Sequence, residues 1–129
     1  MVDELLRRMD RAGVDQALAW LQPPYERGQM EEGNAYVAGA MRRHPDRIIG
    51  FGWADPRLGV PRAIEAVRRS VGEHGVPGVK LNGAQNEFPI DDPDLALPVI
   101  EEIARAGAVL ALHVGGDAPE NTHPWRAGN

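Results

Sequence analysis

The sequence predicts an α/β fold, specifically part of a (β/α)8 barrel with about four βα units. Short apolar segments recur about every 30 residues, and a loop, an amphipathic helix and a short glycine-containing return follow each of them. This alternation predicts parallel strands joined by crossover helices. No glycine-rich phosphate-binding turn follows the first strand, so we favour the barrel over a doubly wound open sheet.

Helices are predicted where apolar side chains recur at three- and four-residue spacing. Gly13, Gly75 and Gly107 follow three of them, and glycine is the residue best suited to a left-handed C-cap. Asn34 is predicted as the N-cap of the second helix. The predicted helices are residues 3–12, 34–43, 60–71 and 93–106.

Strands are predicted where short apolar runs are bounded by proline, glycine or polar residues. Both faces of these runs are apolar, which is typical of strands covered by helices on one side and by a packed interior on the other. The predicted strands are residues 14–21, 48–53, 78–81 and 109–113, with residues 82–92 as a loop. Since a whole barrel has eight strands, we expect residues 1–129 to form one partial barrel domain, truncated at both ends.

The amino-acid composition argues against several kinds of partner and metal site. The net charge is −5 and no basic stripe is present, so we expect no nucleic-acid partner. The absence of cysteine excludes disulfides and thiolate metal sites and leaves histidine and carboxylates as ligands. No apolar run reaches membrane length and the start lacks the apolar core of a signal peptide, so we expect a cytoplasmic protein without a membrane partner.

His113 is the first candidate site residue. It follows an apolar run and precedes two glycines, which places it where a buried strand ends. Loops at the carboxyl ends of barrel strands converge on the active site. An imidazole there can bind a metal or transfer a proton. The alternative is a histidine that only hydrogen-bonds a loop.

Lys80 is the second candidate, because a lysine inside a barrel strand is costly unless its charge is paired or its pKa shifts. We interpret it as a catalytic residue near the mouth of the barrel, in contact with the substrate or with a carboxylate. The alternative is a lysine whose amine reaches the mouth only to pair with an acid.

Further candidates follow the strands. Trp20 and Trp53 close their strands and can line a pocket, with core filling as the alternative. Loop polarity alone is the alternative for the polar candidates at the mouth, which are Asn82, Gln85, Asn86, His123 and Arg126. Of these, Asn82, His123 and Arg126 are predicted, with Trp53, as substrate-binding residues.

Four segments resemble the amidohydrolase-related family of metal-dependent hydrolases and decarboxylases. They are RHPDRIIGFG (43–52), GVKLNG (78–83), LHVG (112–115) and NTHP (121–124). The resemblance covers nearly the whole chain. It implies a (β/α)8 barrel that holds a divalent metal, often zinc, at its carboxyl-terminal mouth. The ligands it implies are an H-x-H pair on the first strand, a histidine ending the fifth strand and an aspartate late in the barrel.

In this resemblance the predicted strands correspond to the second through fifth strands, so His113 matches the fifth-strand ligand. The positions of the H-x-H pair and of the late aspartate have no counterpart in the chain. In some relatives of the wider superfamily a fourth-strand lysine is carboxylated and bridges two metals, which is a further alternative for Lys80.

The resemblance implies that the intact protein is a metal-dependent hydrolase or nonoxidative decarboxylase of a small carboxylated or cyclic substrate. The fragment alone is expected to be inactive and, because a cut barrel exposes strand edges, to form a homo-oligomer. One alternative is a non-catalytic half-barrel that serves as a structural or assembly module. Another is a metal-free barrel enzyme that binds a sugar or phosphate, which the lack of a glycine-rich phosphate loop disfavours.

Overall fold

A computed structural model confirms the partial barrel; it describes residues 1–21 and 27–114. One parallel sheet has the order β1-β2-β3-β4, formed by β1 (Ala17–Ala19), β2 (Ile48–Trp53), β3 (Gly78–Leu81) and β4 (Val109–Leu112). The helices are α1 (Val2–Ala12), α2 (Met30–Arg43), α3 (Val60–Arg68), α4 (Gly83–Asn86) and α5 (Ala96–Arg105). Strands adjacent in sequence are adjacent in space, as in a (β/α)8 barrel. Within the described ranges, no helix combines the length and apolar character needed to cross a bilayer.

The outer face of the sheet can be identified at Gly52 of β2. A Cβ atom at Gly52 would clash with the side chain of Ser70, which follows α3. Gly52 therefore faces the helix layer, and a larger residue does not fit there. Because successive side chains of a strand point to opposite faces, Trp53 lies on the inner face of the sheet.

The pairing of β2 with β3 and of β3 with β4 shows which of their residues lie on the inner face. Trp53 pairs with Lys80 of β3, and Lys80 pairs with Ala111 of β4. Residues paired across parallel strands share a face, so Lys80 also lies on the inner face. His113 is two residues beyond Ala111 and continues the same alternation.

The main hydrophobic core lies between the outer face of the sheet and helices α3 and α5. Val79 and Leu81 of β3 enter this core, and each is at most 1% exposed. Burial of such side chains contributes roughly 1.5–3 kcal/mol each. Their helix partners are Ala63, Val67, Ala96, Val99 and Ile103. Since Val79 and Leu81 flank Lys80, the core fixes the strand that carries it.

A buried carboxylate joins α3 to α5. Glu102 is 6% exposed and accepts hydrogen bonds from Arg68 Nε at 3.0 Å and Arg105 Nη1 at 2.5 Å. The hydrogen bond from Arg68 lowers the pKa of Glu102 below its ordinary value of 4.5. A carboxylate whose pKa is lower in the folded state stabilises the fold above its unfolded pKa, and this contribution is lost as the pH falls through the folded pKa.

The structure differs from the prediction at the start of β1 and in several helices. β1 starts at Ala17 because the preceding residues complete the end of α1: Gly13 is left-handed with φ 72°, and the N–H of Val14 donates to the carbonyl of Met9. The carbonyls of Val14 and Asp15 then accept hydrogen bonds from Arg47 rather than from a strand.

The other differences concern helices. Asn34 is not an N-cap, since α2 begins at Met30 and Asn34 lies within it. The predicted loop after β3 contains the short helix α4, and α5 begins at Ala96. Beyond α3, residues Arg69–Glu73 form a π-helical turn instead of continuing the α-helix.

We predict that Glu102→Gln lowers the melting temperature at neutral pH, because the amide loses the charge that both arginines bind. The difference from the wild type shrinks as the pH is lowered below 4.5, where the wild-type carboxylate also becomes neutral. Circular dichroism melts across pH 3–7 measure this. Glu101→Gln, at an exposed neighbouring position, is the control. A difference independent of pH would contradict the prediction.

Candidate active site

The carboxyl ends of the four strands bring several sequence-predicted residues to one edge of the sheet. Trp20 follows β1, Trp53 ends β2, Lys80 lies near the end of β3 and His113 follows β4. Because all four strands are parallel, these ends meet at the same edge, where barrel enzymes have their active sites.

Lys80 is buried, and no ion-pair partner for it lies among the described residues. It is the only lysine in the sequence and is 7% exposed. Its Nζ lies 4.7 Å from the centroid of the Trp20 ring, within the range of a cation–π contact. No carboxylate of residues 1–21 or 27–114 forms a salt bridge with it. Burial lowers the pKa of Lys80, because removal from water disfavours the charged amine.

Trp53 is fixed by three hydrogen bonds to two asparagines. Its backbone N–H donates to Asn34 Oδ1 at 2.8 Å, and its carbonyl accepts from Asn34 Nδ2 at 2.9 Å. Its indole Nε1 donates to Asn86 Oδ1 of α4 at 3.1 Å. The side chain is 1% exposed and belongs to a cluster with Met30 and Ala66. Substrate contact by Trp53 stays a prediction.

Asn82 builds the turn that follows β3. It is 2% exposed, and its Oδ1 accepts a hydrogen bond from the backbone N–H of Gln85 at 3.0 Å. Asn82 is therefore the N-cap of α4, the helix that brings Asn86 to the Trp53 indole. Its predicted contact with substrate is not decided by this geometry.

His113 is placed where a metal ligand of the mouth would lie. Its backbone N–H donates to the carbonyl of Leu81 at 3.1 Å, which extends the β3–β4 pairing, and its Nε2 is shielded from solvent. Across the described parts of the chain, no three histidine, aspartate or glutamate side chains come together in a geometry that could hold a metal. The role of His113 as a metal ligand stays a prediction. His123 and Arg126 lie outside the described residues.

Sequence reasoning missed the place of Asn34 in this arrangement. Asparagine before an apolar helix indicates an N-cap, and no local signal distinguishes that role from a contact with a strand. The true role depends on where β1 ends and on the packing of α2 against β2. The position of Trp20 at the end of a strand, in contrast, could be predicted, since Trp20 directly follows an apolar run in the sequence.

Comparison with known proteins decides the family. Residues 9–127 match the model of the amidohydrolase family. The chain belongs to this family. The resemblance seen in the four sequence segments is thereby confirmed, as is the parallel-sheet fold that it implied.

Similar proteins include decarboxylases. The chain is 31% identical over 114 residues to 2-amino-3-carboxymuconate-6-semialdehyde decarboxylase of Dictyostelium discoideum, an alignment that covers 84% of this chain and 31% of the relative. The amidohydrolase chain therefore spans about a third of the length of that relative.

Solved structures share the fold. 5-Carboxyvanillate decarboxylase of Novosphingobium aromaticivorans, crystallised with manganese and a nitrobenzoic acid, superposes with a TM-score of 0.77 at 22% identity, over 94% of this chain and 37% of that chain. 2,6-Dihydroxybenzoate decarboxylase from Rhizobium superposes with a TM-score of 0.71 at 23% identity. The superposition covers 97% of this chain and 44% of that chain.

Proposed function

We propose that the chain supplies four βα units of a metal-dependent, nonoxidative decarboxylase that acts on a small carboxylated cyclic substrate. Family membership supports an enzyme of this superfamily, and decarboxylases among the similar proteins favour decarboxylation over hydrolysis. The observation that carries the proposal is the buried amine of Lys80 on the inner face of the sheet, with no carboxylate of the described chain beside it.

The proposed role of Lys80 is to bind the substrate carboxylate. A buried ammonium group without a counter-ion is costly, and a bound carboxylate supplies the missing negative charge. The attraction is stronger at this site than in water, because the surrounding side chains exclude solvent. In the reaction the bond between the ring carbon and the carboxylate breaks, carbon dioxide leaves and a proton takes its place on the ring. Lys80 orients the group that leaves.

Four further residues are proposed to surround the substrate. Trp53 is the register partner of Lys80, and Asn82 lies two residues beyond it, so both are close to the proposed carboxylate site. For His123 and Arg126 the proposal rests on their sequence position after the strand that ends in His113. A small-molecule substrate requires this kind of lining, with apolar walls and a few polar groups.

His113 is the proposed metal ligand. Its position after β4 and its shielded Nε2 support this role, and further ligands would come from beyond the four described strands. A divalent metal bound at this point would polarise a substrate oxygen or lower the pKa of a bound water. We propose zinc, with manganese as the alternative, since manganese is bound in the decarboxylase of Novosphingobium aromaticivorans. A cytoplasmic location also stays a prediction, which cell fractionation tests.

We predict that His113→Ala in the intact protein lowers the metal content about 10-fold or more, because the site loses a direct ligand. Elemental analysis by mass spectrometry gives the amount and identity of the metal. His74→Ala is the matched control, since His74 follows the π-helical turn in the outer layer. An undiminished metal load in His113→Ala would remove His113 from the ligand set.

We predict that Lys80→Met in the intact protein lowers kcat/KM for a carboxylated aromatic substrate about 10- to 100-fold, the loss expected for a hydrogen bond to a charged group. 2,6-Dihydroxybenzoate and 5-carboxyvanillate, the substrates named for two similar decarboxylases, are the compounds to assay. Lys80→Arg keeps the charge and is the control. A Lys80→Met protein that melts much earlier than the wild type but retains turnover when folded would show a structural role only.

We also propose that residues 1–129 expressed alone self-associate. Apolar side chains on the two outer strands are exposed, with Leu18 at 49%, Val109 at 57% and Leu112 at 42%. Their unpaired strand edges favour pairing with a second copy. Size-exclusion chromatography with light scattering should therefore show dimers or larger species, and a zinc titration should show binding no tighter than about micromolar for one imidazole ligand. A monodisperse, cooperatively melting monomer would contradict this proposal.

A further inference from the structure

The end of β2 extends beyond its neighbour β1. Pairing with β1 ends at Gly50, which lies opposite Ala19. On the other side β2 stays paired with β3, and the N–H of Ala54 donates to the carbonyl of Lys80 at 3.3 Å. Because consecutive residues of a strand direct their backbone groups to opposite sides, the N–H and carbonyl of Trp53 point to the side where β1 has ended.

Asn34 occupies this open side. Its carboxamide accepts from the Trp53 N–H at 2.8 Å and donates to the Trp53 carbonyl at 2.9 Å, the two bonds that a neighbouring strand would otherwise supply. Asn34 is 6% exposed, so the bonds are made in a site where unpaired backbone groups would be costly. The Asn34 side chain therefore takes the place of one residue of β-strand.

Packing of α2 does not account for an asparagine at this position. Asparagine is a poor helix former, and a buried amide is unfavourable unless it is hydrogen-bonded. Val37, Ala38 and Ala40 already bury the apolar face of α2. The contact with Trp53 satisfies both the hydrogen-bond donor and the acceptor of the Asn34 amide.

We propose that Asn34 is a positioning residue of the active site, which holds the end of β2 so that Trp53 and Lys80 keep their arrangement on the inner face. Asn34 lies in the outer helix layer and acts through Trp53. Asn86 completes the arrangement by holding the indole ring at 3.1 Å. The inference rests on the proposed function in taking Lys80 as the group that binds substrate.

Two measurements on the full 129-residue chain test this role. The first is the indole N–H resonance of Trp53 in a nitrogen–proton correlation spectrum, assigned by its disappearance in Trp53→Phe. The second is the rate of Lys80 acetylation by an amine reagent, followed by mass spectrometry. Since Lys80 is the only lysine, the N-terminal amine is the one other target and serves as an internal reference.

Asn34→Leu, which keeps the side-chain volume but removes both bonds, should shift the Trp53 indole resonance and speed Lys80 acetylation about 10-fold or more, since a loosened β2 end exposes the amine. Asn34→Asp loses the donor and places a carboxylate oxygen against the Trp53 carbonyl, so it should also change both readouts. Ala38→Gly is the control, because it weakens the same helix at a fully buried position but removes neither hydrogen bond to Trp53. It should lower stability and leave both readouts unchanged.

An unchanged indole resonance and an unchanged acetylation rate in folded Asn34→Leu would overturn the positioning role. Equal effects of Ala38→Gly on both readouts would also overturn it, since they would reflect loss of stability alone. If Asn34→Leu does not fold, Asn34→Asp decides by the same criteria. A failure of the proposed function appears separately, in the kinetics of Lys80→Met, in which Asn34 is intact.

Discussion

The arrangement at the carboxyl ends of the strands depends on the register of β2 against β3. In this register Trp53 lies opposite Lys80 and Phe51 lies opposite Gly78. A Cβ atom at Gly78 would meet the ring of Phe51 and the carbonyl oxygen of Val109, so this position accepts only glycine. A slip of one residue would turn Lys80 towards the helix layer, because strand side chains alternate between faces. The tight fit around Gly78 therefore helps to decide that the amine lies inside the barrel.

Lys80 and the core beneath it illustrate how well local sequence predicts the central part of the fold. Its neighbours Val79 and Leu81 are apolar because they fill the space between sheet and helices, and such a run predicts a buried strand. A lone charged residue within that run is unusual enough to indicate function. Helices α3 and α5 were equally predictable from their apolar spacing, since each of them packs on one face only.

The parts that could not be predicted depend on contacts between distant segments. The start of β1 depends on Arg47, which follows α2 in the sequence and donates hydrogen bonds to the carbonyls of Val14 and Asp15. The role of Asn34 follows from the place where β1 ends, and helix α4 exists because Asn82 caps it. None of these outcomes is encoded in the spacing of apolar residues.

β1 is the strand that is expected to separate first from the sheet, because it is only three residues long. Among the described residues, β1 is paired through three residues with β2 alone, whereas β3 is paired on both sides and is anchored in the core. Local opening starts where buried contacts are fewest, so β1 is expected to detach from the sheet before β3 loosens. Trp20 leaves with β1, because it is the residue that follows the strand. Each such fluctuation would remove the indole from above the Lys80 amine and admit water to it, so the least stable segment of the sheet would cover the buried lysine.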